Sequence, residues 1–298
     1  MHKFYHRKTE KQIFRQYFSS RNMSNFVKML DNQFLIRNNQ NRLLLCGDKM
    51  LLSLLLILPF ILVPVILIIS DSHKYNKSTY AQMTGTPYSI IRNNKGAIGE
   101  YAIYRRLAYL ENQGSRFLFN LYLPKGNGET TECDVVLITS QCIIVFESKN
   151  YSGWIFGDES SAYWTQTLSQ GKGRPARKER FYNPIKQNET HIRYLKSIIG
   201  DQYPIYSVIT FSERCQIKKM NVYNPYVRVS KRDVIVPIVN NIFLSCPGSF
   251  IPNEEIERLY STLYPYTQAP DYIKQQHIQN IQNHFSSNQS PNNYPPVN

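Results

Sequence analysis

The residue types that could do chemistry gather around one predicted hairpin. The runs 134–139 and 142–147 are rich in apolar and β-branched residues, and Ser140-Gln141 between them predicts a two-residue turn. Pairing across that turn places Asp134 directly opposite Glu147. Like charges at such positions repel each other, so a divalent cation such as Mg²⁺, which prefers oxygen ligands, would explain the pair.

Glu132 and Lys149 extend the same face by one step on each strand, because residues two apart on a strand point to the same side. The four side chains together predict a polar cluster at the end of an apolar hairpin. The prediction depends on the register, since a slip of one residue would send Asp134 and Glu147 to opposite faces. A solvated strand end with incidental charges is the alternative interpretation.

The elements that must hold this hairpin predict an α/β domain over residues 93–265. Apolar spacing and capping residues predict helices over 96–111, 183–200 and 253–263. Strand patterns cover 116–123, 204–211 and 233–239, with one or two short strands between 153 and 164. Residues 71–92 are polar and turn-rich and predict a linker, whereas the Gln- and Asn-rich residues 266–298 predict a mostly disordered tail.

The order and spacing of several short motifs resemble the nuclease-related domain, NERD, and the acidic residue, hairpin and Glu-x-Lys core of PD-(D/E)XK nucleases. The resemblance covers about residues 93–200. One departure is Gln141-Cys142, where the family often has Gly at the turn. The resemblance implies a restriction-endonuclease-like mixed central sheet flanked by helices. The matching motifs are Gly96-Ala-Ile-Gly-Glu100, Asn120-Leu-Tyr-Leu123, Thr131-Glu-Cys-Asp134, Phe146-Glu-Ser-Lys-Asn-Tyr-Ser-Gly153, Trp164 and Asn183-Pro-Ile-Lys-Gln187, followed by His191.

The same resemblance implies roles for individual residues. Asp134 and Glu147 would ligate Mg²⁺, or Mn²⁺ in its place, together with the backbone carbonyl of Ser148. Lys149 would orient the attacking water, help to remove its proton, or stabilise the transition state. Gln187 would hydrogen-bond the nucleophile or the DNA.

Two further residues have competing interpretations. Glu100 would support the metal through a water molecule, or else it merely complements the N-terminus of its helix. His191 lies one helical turn after Gln187 on the same face. It would either contact the substrate or pack behind the site.

A basic stretch follows the predicted short strands and suits contacts with phosphates, which bind without sequence preference. An ordinary solvated loop is the alternative. Trp154 and Trp164 are predicted to pack in the core or between strands rather than to stack on bases. The basic residues are Lys172, Arg174, Arg177, Lys178 and Arg180.

Residues 50–70 form an uncharged apolar run of 21 residues between Lys49 and Asp71. About 20 such residues span a bilayer core, so the run predicts a single transmembrane helix, in which Pro59 and Pro64 are tolerated. A buried core helix is the alternative. A signal peptide fits poorly, because no small-residue cleavage site follows the run.

The N-terminal arm, residues 1–49, carries ten basic residues against three acidic ones, which is +7 of the net charge of +14. The excess charge predicts an anionic partner, either nucleic acid or a membrane surface. The positive-inside rule places the arm in the cytoplasm, but the bias close to the apolar run is small. The side of the membrane on which the domain lies therefore stays open. So does the pairing of Cys133, Cys142, Cys215 and Cys246.

These features predict a membrane-anchored, Mg-dependent protein that hydrolyses DNA phosphodiester bonds. A catalytically silent relative that binds nucleic acid and a membrane-surface interaction protein are the alternatives. Paired zinc-ligand spacings, a phosphate-binding Gly-rich loop and a serine-hydrolase elbow are all missing from the sequence.

Overall fold

A computed structural model of the protein describes residues 42–246, 248 and 250–288. The predicted basic arm falls almost wholly on residues 1–41, and the end of the predicted tail on residues 289–298. Both segments lie outside the described residues. The chain divides into two units, residues 1–69 and 70–298.

The described residues contain eight α-helices and nine strands. The helices are α1 (Arg42–Asn76), α2 (Thr79–Thr84), α3 (Tyr88–Ile91), α4 (Lys95–Leu107), α5 (Pro184–Ile199), α6 (Ile235–Leu244), α7 (Asn253–Leu263) and α8 (Asp271–Asn288). The strands are β1 (Arg116–Pro124), β2 (Thr130–Ile138), β3 (Ile143–Lys149), β4 (Gly153–Asp158), β5 (Tyr163–Leu168), β6 (Arg177–Tyr182), β7 (Ile205–Phe211), β8 (Cys215–Asn221) and β9 (Val227–Lys231). Short 3₁₀ turns occupy Ala108–Gln113, Arg232–Val234 and Tyr264–Gln268.

The helix α1 contains the apolar run. Its part from Ser53 to Asn76 is long and apolar enough to cross a membrane. The helix passes through Pro59 and Pro64 without interruption. Its apolar side chains are largely exposed, with Leu55 at 58% and Ile66 at 60%. A helix of a soluble protein would normally bury such a surface, so exposure on all sides agrees with the predicted membrane span.

The main sheet has five strands in the order β1-β2-β3-β7-β9. The first three strands are antiparallel, whereas β3, β7 and β9 run parallel, so the sheet is mixed as predicted. Val135 pairs with Phe146, and Ile138 pairs with Ile143. Each of these pairs belongs to the register that was predicted from the Ser140-Gln141 turn, and that register is confirmed.

Helices cover both faces of this sheet. A Cβ atom added at Gly99 of α4 would lie 2.3 Å from the Ser148 Oγ atom on β3. His191 of α5 contacts Glu147, the neighbouring residue of β3. Because adjacent strand residues point to opposite faces, α4 and α5 lie on opposite sides of β3. The predicted α/β fold with a mixed sheet between helices is therefore confirmed.

A second sheet has four strands in the order β6-β5-β4-β8. Its inner face buries Ile155 and Trp164, which cluster with Ile209 and Phe211 of β7. The rings of Trp164 and Phe211 stack with centroids 6.2 Å apart. Trp164 therefore packs in the core as predicted, whereas Trp154 is 48% exposed and the same prediction for it is wrong.

The segment 71–92 is not a simple linker. It holds the end of α1 together with α2 and α3, and Tyr75 and Tyr80 are fully buried. The Tyr80 ring packs edge-on against Phe119 of β1, with centroids 4.8 Å apart. The polar composition of the segment predicted a linker, but its two large aromatic side chains bury enough surface to order it.

The C-terminal segment also differs from its prediction. Residues Asp271–Asn288 form α8, and His277 on this helix is 9% exposed. The His277 Nδ1 atom lies 3.1 Å from the carbonyl oxygen of Thr130 on β2, and its ring meets Tyr122 edge-on. Packing against the sheet edge stabilises a helix whose composition is too polar to predict one.

Three further predictions of secondary structure need correction. Residues 233–239, predicted as a strand, begin α6, in which Ile235, Val239 and Ile242 share the buried face. Their spacing is helical, and Pro237 in the first turn removes no intrahelical bond. The strands β8 and β9 were not predicted. The basic loop ends earlier than expected, because β6 begins at Arg177.

Candidate active site

The strands β2 and β3 separate where the acidic residues begin. Their ladder ends at Val135 and Phe146, whereas β2 stays paired with β1, and β3 with β7, to the strand ends. Asp134 bridges the gap with its side chain, since its Oδ2 atom accepts a 2.8 Å hydrogen bond from the Ser148 backbone N–H. Asp134 and Glu147 therefore flank a notch between two strands of one sheet.

Glu147 is the most deeply buried charge of the notch, with 1% of its surface exposed. The Lys149 Nζ atom lies 2.6 Å from its Oε1 atom, and the His191 Nε2 atom lies 3.2 Å from its Oε2 atom. Burial acts to raise the pKa of Glu147, but the Lys149 ammonium and the His191 imidazole outweigh it. The pKa therefore lies below its ordinary value, and Glu147 is a carboxylate at neutral pH.

Lys149 connects the notch to α5. Its Nζ atom donates a 2.9 Å hydrogen bond to the Gln187 Oε1 atom. Gln187 lies in the first turn of α5, which begins sharply because the Asn183 side chain caps it and Pro184 occupies its first position. Burial acts to lower the pKa of Lys149, but the charges of Glu147 and Asp134 raise it above its usual value. The Lys149 amine is therefore protonated and positively charged at neutral pH.

Asp134 has the opposite electrostatic character from Glu147. Burial raises its pKa well above the usual range, and the nearby charges of Glu147 and Glu100 raise it further. The attraction of Lys149 and the Ser148 N–H bond do not compensate. The notch thus holds more carboxyl groups than its single ammonium can neutralise, so either a proton or a bound cation is favoured at Asp134.

Glu100 approaches the notch from α4, which the Asn94 side chain caps. The Tyr80 hydroxyl donates a 2.8 Å hydrogen bond to its Oε2 atom. Burial raises the pKa of Glu100 to about 7, although Tyr80 and the Asn120 side chain lower it. Asn120 lies on β1 with φ of +52°, a left-handed conformation that Asn tolerates better than most residues. Glu100 is therefore poised to change charge near neutral pH.

Buried polar side chains fix the groups behind the notch. The Nδ1 atom of His191 lies 2.6 Å from the Thr131 hydroxyl, which orients the imidazole towards Glu147. One turn earlier on α5, the fully buried Asn188 donates to the Val145 carbonyl oxygen at 2.9 Å and to the Ser207 hydroxyl at 2.8 Å. These bonds tie α5 to both β3 and β7. The helix that carries Gln187 therefore has little freedom relative to the sheet.

The donor set fits a hard divalent cation. The buried Glu147 Oε2 atom makes no well-aligned hydrogen bond within the described residues, although the His191 Nε2 atom lies 3.2 Å from it. The Asp134 carboxyl has a raised pKa beside Glu147 and Glu100, and a bound cation would favour its ionised form. Mg²⁺ typically uses one or two protein carboxylates and keeps several waters. Asp134, Glu147 and the Ser148 carbonyl would meet that requirement. Within the described residues, no group of three or more His, Cys, Asp or Glu side chains is already arranged around a metal position.

The structure brings most of the predicted site residues together and separates others. Glu132 belongs to a neighbouring group, where its carboxylate accepts from the Tyr122 hydroxyl at 2.7 Å and lies 3.7 Å from the His277 Nε2 atom. Lys172 and Arg174 lie in an exposed loop, and the other predicted phosphate-binding residues lie on β6. The residues that the structure brings together are Asp134, Glu147, Ser148, Lys149, Gln187 and His191, with Glu100 at the edge.

Three residues of this arrangement were not predicted from the sequence. Tyr80 gives no signal, because it lies in a polar segment far from the motifs. Thr131 and Asn120 lie inside recognised motifs, but neither residue type by itself suggests a role. The four cysteines whose pairing stayed open are free and buried: Cys133, Cys142, Cys215 and Cys246.

Comparison with known proteins agrees with this geometry. The family profile of the nuclease-related domain matches residues 95–212. An uncharacterized protein of Bacillus anthracis is 29% identical over 196 residues, which cover 64% of this chain and 86% of that protein. No solved structure matches the chain significantly. The matched residues begin at α4 and end just after β7, so they contain the whole notch. Residues 95–212 of this chain therefore match the nuclease-related domain, NERD, a family whose general context is the PD-(D/E)XK-like superfamily.

Proposed function

We propose that this domain is a Mg-dependent nuclease that hydrolyses phosphodiester bonds of DNA. The observation that carries the proposal is the notch between β2 and β3. It places the carboxylates of Asp134 and Glu147 beside the Lys149 ammonium within a nuclease-related domain. With Asp134 and Glu147 both ionised, the notch would disfavour a phosphate, and a bound cation would reverse that effect.

The protein groups have separable tasks in this proposal. Asp134, Glu147 and the Ser148 carbonyl would hold Mg²⁺, which when bound supplies a Lewis acid for phosphate oxygens and lowers the pKa of a bound water. Lys149 stays protonated because its pKa is raised, so we assign it transition-state stabilisation rather than proton removal. Gln187 orients the Lys149 ammonium through their 2.9 Å hydrogen bond.

His191 acts as a positioning residue in this proposal. It is 4% exposed and lies between the Thr131 hydroxyl and the Glu147 carboxylate. The prediction that it contacts substrate stays a prediction, and its buried position favours the alternative of packing behind the site. Glu100 keeps its proposed task of supporting the metal through a water.

A cleavage assay with matched variants tests the proposal. The full-length protein in detergent micelles is incubated with linear DNA in Mg²⁺, Mn²⁺ or EDTA. Glu147→Gln and Lys149→Met are compared with Glu254→Gln, which changes an exposed carboxylate on α7. We expect cleavage in Mg²⁺ that EDTA abolishes, a loss of about 10³-fold or more in the two site variants, and no loss in Glu254→Gln. Cleavage that survives both site variants would disprove the proposed site.

One observation favours a catalytically silent nucleic-acid-binding protein as the second candidate. Lys149 already pairs with Glu147 at 2.6 Å, and no preassembled group of three ligands exists in the described part of the chain. In that case the same assay would show no cleavage in either metal ion, while the protein would still bind DNA with an affinity that falls as salt rises.

We further propose that the segment Ser53–Asn76 anchors the protein in a membrane as a single span. The support is the length of the helix and its exposed apolar surface. Extraction of cell membranes with alkaline carbonate tests this point, because a spanning protein stays in the pellet and a peripheral one is released. Release into the supernatant would contradict the anchor.

A further inference from the structure

The outer face of the second sheet combines exposed aromatic rings with cations. Tyr163 pairs directly with Tyr182 across β5 and β6, so both rings lie on one face. Trp154 of β4 pairs with Thr167, which in turn pairs with Lys178, so the Trp154 ring belongs to the same face. The three rings are between 42% and 48% exposed. Large aromatic side chains on a sheet usually pack inwards, so three on an outer face require a reason.

Cations of the same face lie over two of these rings. Arg180 pairs with Thr165 across β5 and β6, and its guanidinium lies 5.0 Å from the centroid of Tyr163. The Lys218 Nζ atom of β8 lies 5.0 Å from the centroid of Trp154. Lys178 is exposed beside them. We call these six residues the aromatic–basic face: Trp154, Tyr163, Lys178, Arg180, Tyr182 and Lys218.

The acidic residues of the four strands do not neutralise this face. Glu179 lies between Lys178 and Arg180 in sequence, so its side chain points to the opposite side of β6. Asp158 lies at the end of β4, where its carboxylate accepts hydrogen bonds from Ser160 and Asn221 at 2.5 and 2.8 Å. The face therefore has three cations, Lys178, Arg180 and Lys218, against the single carboxylate of Asp158, and its rings are partly exposed.

The chain connects this face to the notch at both ends. Only three residues separate Lys149, at the end of β3, from β4. The strand β6 ends at Tyr182, and Asn183 then caps α5, which carries Gln187. Lys149 and Gln187 are hydrogen-bonded to each other, so the segment that forms β4, β5 and β6 leaves from the candidate active site and returns to it.

We infer that the aromatic–basic face binds a single strand of nucleic acid. Proteins that hold single strands combine aromatic rings, on which bases stack, with cations that contact the backbone phosphates. A duplex keeps its bases stacked on each other and could use only the cations. The inference rests on the proposed function in treating the bound strand as the substrate of the notch, whereas binding itself needs neither metal nor cleavage.

Tryptophan fluorescence tests the inference directly, because the chain has two tryptophans and only Trp154 is exposed, Trp164 being 1% exposed. The full-length protein in detergent micelles and EDTA is titrated with oligo(dT), with a duplex and with inorganic polyphosphate. We expect oligo(dT) to quench the fluorescence and polyphosphate to compete without quenching. Trp154→Ala should weaken oligo(dT) binding, followed by the anisotropy of a labelled oligonucleotide, about fivefold or more. Tyr272→Ala changes an aromatic residue on α8 that is more exposed, at 67%, and should not weaken it.

Several outcomes would overturn the inference. The first is that the double variant Trp154→Ala/Arg180→Ala binds oligo(dT) with unchanged affinity. The second is that a duplex binds as tightly as the single strand. The third is that bound oligo(dT) does not quench the fluorescence. Quenching or a blue shift with vesicles of anionic lipid, without any oligonucleotide binding, would instead identify the face as a membrane surface. Binding is measured in EDTA and needs no cleavage, so a failure of the nuclease proposal stays distinguishable from a failure of this one.

Discussion

The notch and the aromatic–basic face use charge in opposite ways. In the notch, the charged side chains are buried or half-buried beside partners, and Glu147 is 1% exposed. On the face, Lys178 and Arg180 are exposed, and the neighbouring acidic side chain of β6 points away from them. Buried charges depend on one another for solvation, whereas exposed charges are solvated by water. Substitutions in the notch should therefore change stability and activity together, whereas substitutions on the face should change binding without changing stability.

The largest effect on folding should follow from removing the cation of the notch. Lys149→Met leaves the Glu147 carboxylate buried beside His191 alone, and breaking a buried pair costs about 3–5 kcal/mol. Denaturant unfolding of the full-length protein in EDTA measures this loss. The double variant Lys149→Met/Glu147→Gln is the control, and it should recover much of the lost stability because no buried charge is left unpaired.

The pH dependence of that loss has a defined sign. The pKa of Glu147 is lowered by folding, so the group contributes stability above its ordinary pKa of 4.5, and this contribution disappears as the pH falls further. Lys149→Met should therefore be most destabilising at neutral pH and least destabilising in acid. A cost that does not change with pH would mean that lost packing, rather than lost charge, is responsible.

The contribution of Glu100 to stability should depend on pH with the opposite sign from that of Glu147. Its pKa of about 7 lies above the ordinary value of 4.5, so its burial lowers stability progressively as the pH rises between these two values. Glu100→Gln should stabilise the protein by up to about 3 kcal/mol at pH 8, since one pKa unit corresponds to ~1.4 kcal/mol. The gain should vanish near pH 4.5. Unfolding curves at several pH values in EDTA check this, and a variant that is less stable at pH 8 would contradict it.

Gly99→Ala should have a smaller effect, which depends on how closely α4 approaches β3. The new Cβ atom would lie 2.3 Å from the Ser148 Oγ atom and 2.7 Å from the Nη1 atom of the buried Arg232. Overpacking costs about 1–3 kcal/mol, against a gain in helix propensity of about 1 kcal/mol. We expect a net loss of about 1 kcal/mol in thermal or denaturant unfolding.

Gly96→Ala in the same helix provides the matched control for Gly99→Ala. Its Cβ atom would meet the Asn94 Oδ1 atom at 3.4 Å, an ordinary contact, so this variant should be neutral or stabilising. If both variants behave alike, the close approach of α4 to Ser148 does not limit stability.

The sequence was sufficient for the parts of the site that depend on local pattern. The two apolar, β-branched runs and the turn at Ser140-Gln141 between them predict the register of β2 and β3 correctly. The Asn183 cap and Pro184 likewise predict the start of the helix that carries Gln187. These features succeed because each is determined by residues that are close together in the chain.

The parts that failed depend on long-range packing. Tyr80 reaches Glu100 from a segment whose composition predicts a linker, and His277 reaches β2 from a segment whose composition predicts disorder. Trp154 was predicted to pack in the core or between strands, but it is 48% exposed. Whether it faces in or out is decided by which side of β4 the core covers, and no local pattern shows that.

The smallest effect on folding is expected on the aromatic–basic face. Lys178 and Arg180 are exposed, so the double variant Lys178→Gln/Arg180→Gln should change the free energy of unfolding by no more than about 0.5 kcal/mol. Binding of oligo(dT) should nevertheless become less sensitive to salt. Each lost phosphate contact on a single strand lowers the slope of log K against log salt by about 0.7, so two lost contacts lower it by about 1.4.

Anisotropy titrations of labelled oligo(dT) across a salt series, together with unfolding curves, measure both quantities on the same sample. Lys274→Gln on α8 removes an exposed cation away from the face and should leave the slope unchanged. If the double variant unfolds as readily as Lys149→Met, the charges of the face also support the fold, and the contrast between the two regions is lost. An unchanged slope with unchanged stability would mean that these cations do not contact the strand. If the notch variants change stability with pH while the face variants change only the salt dependence of binding, the two kinds of charge are separable in one chain.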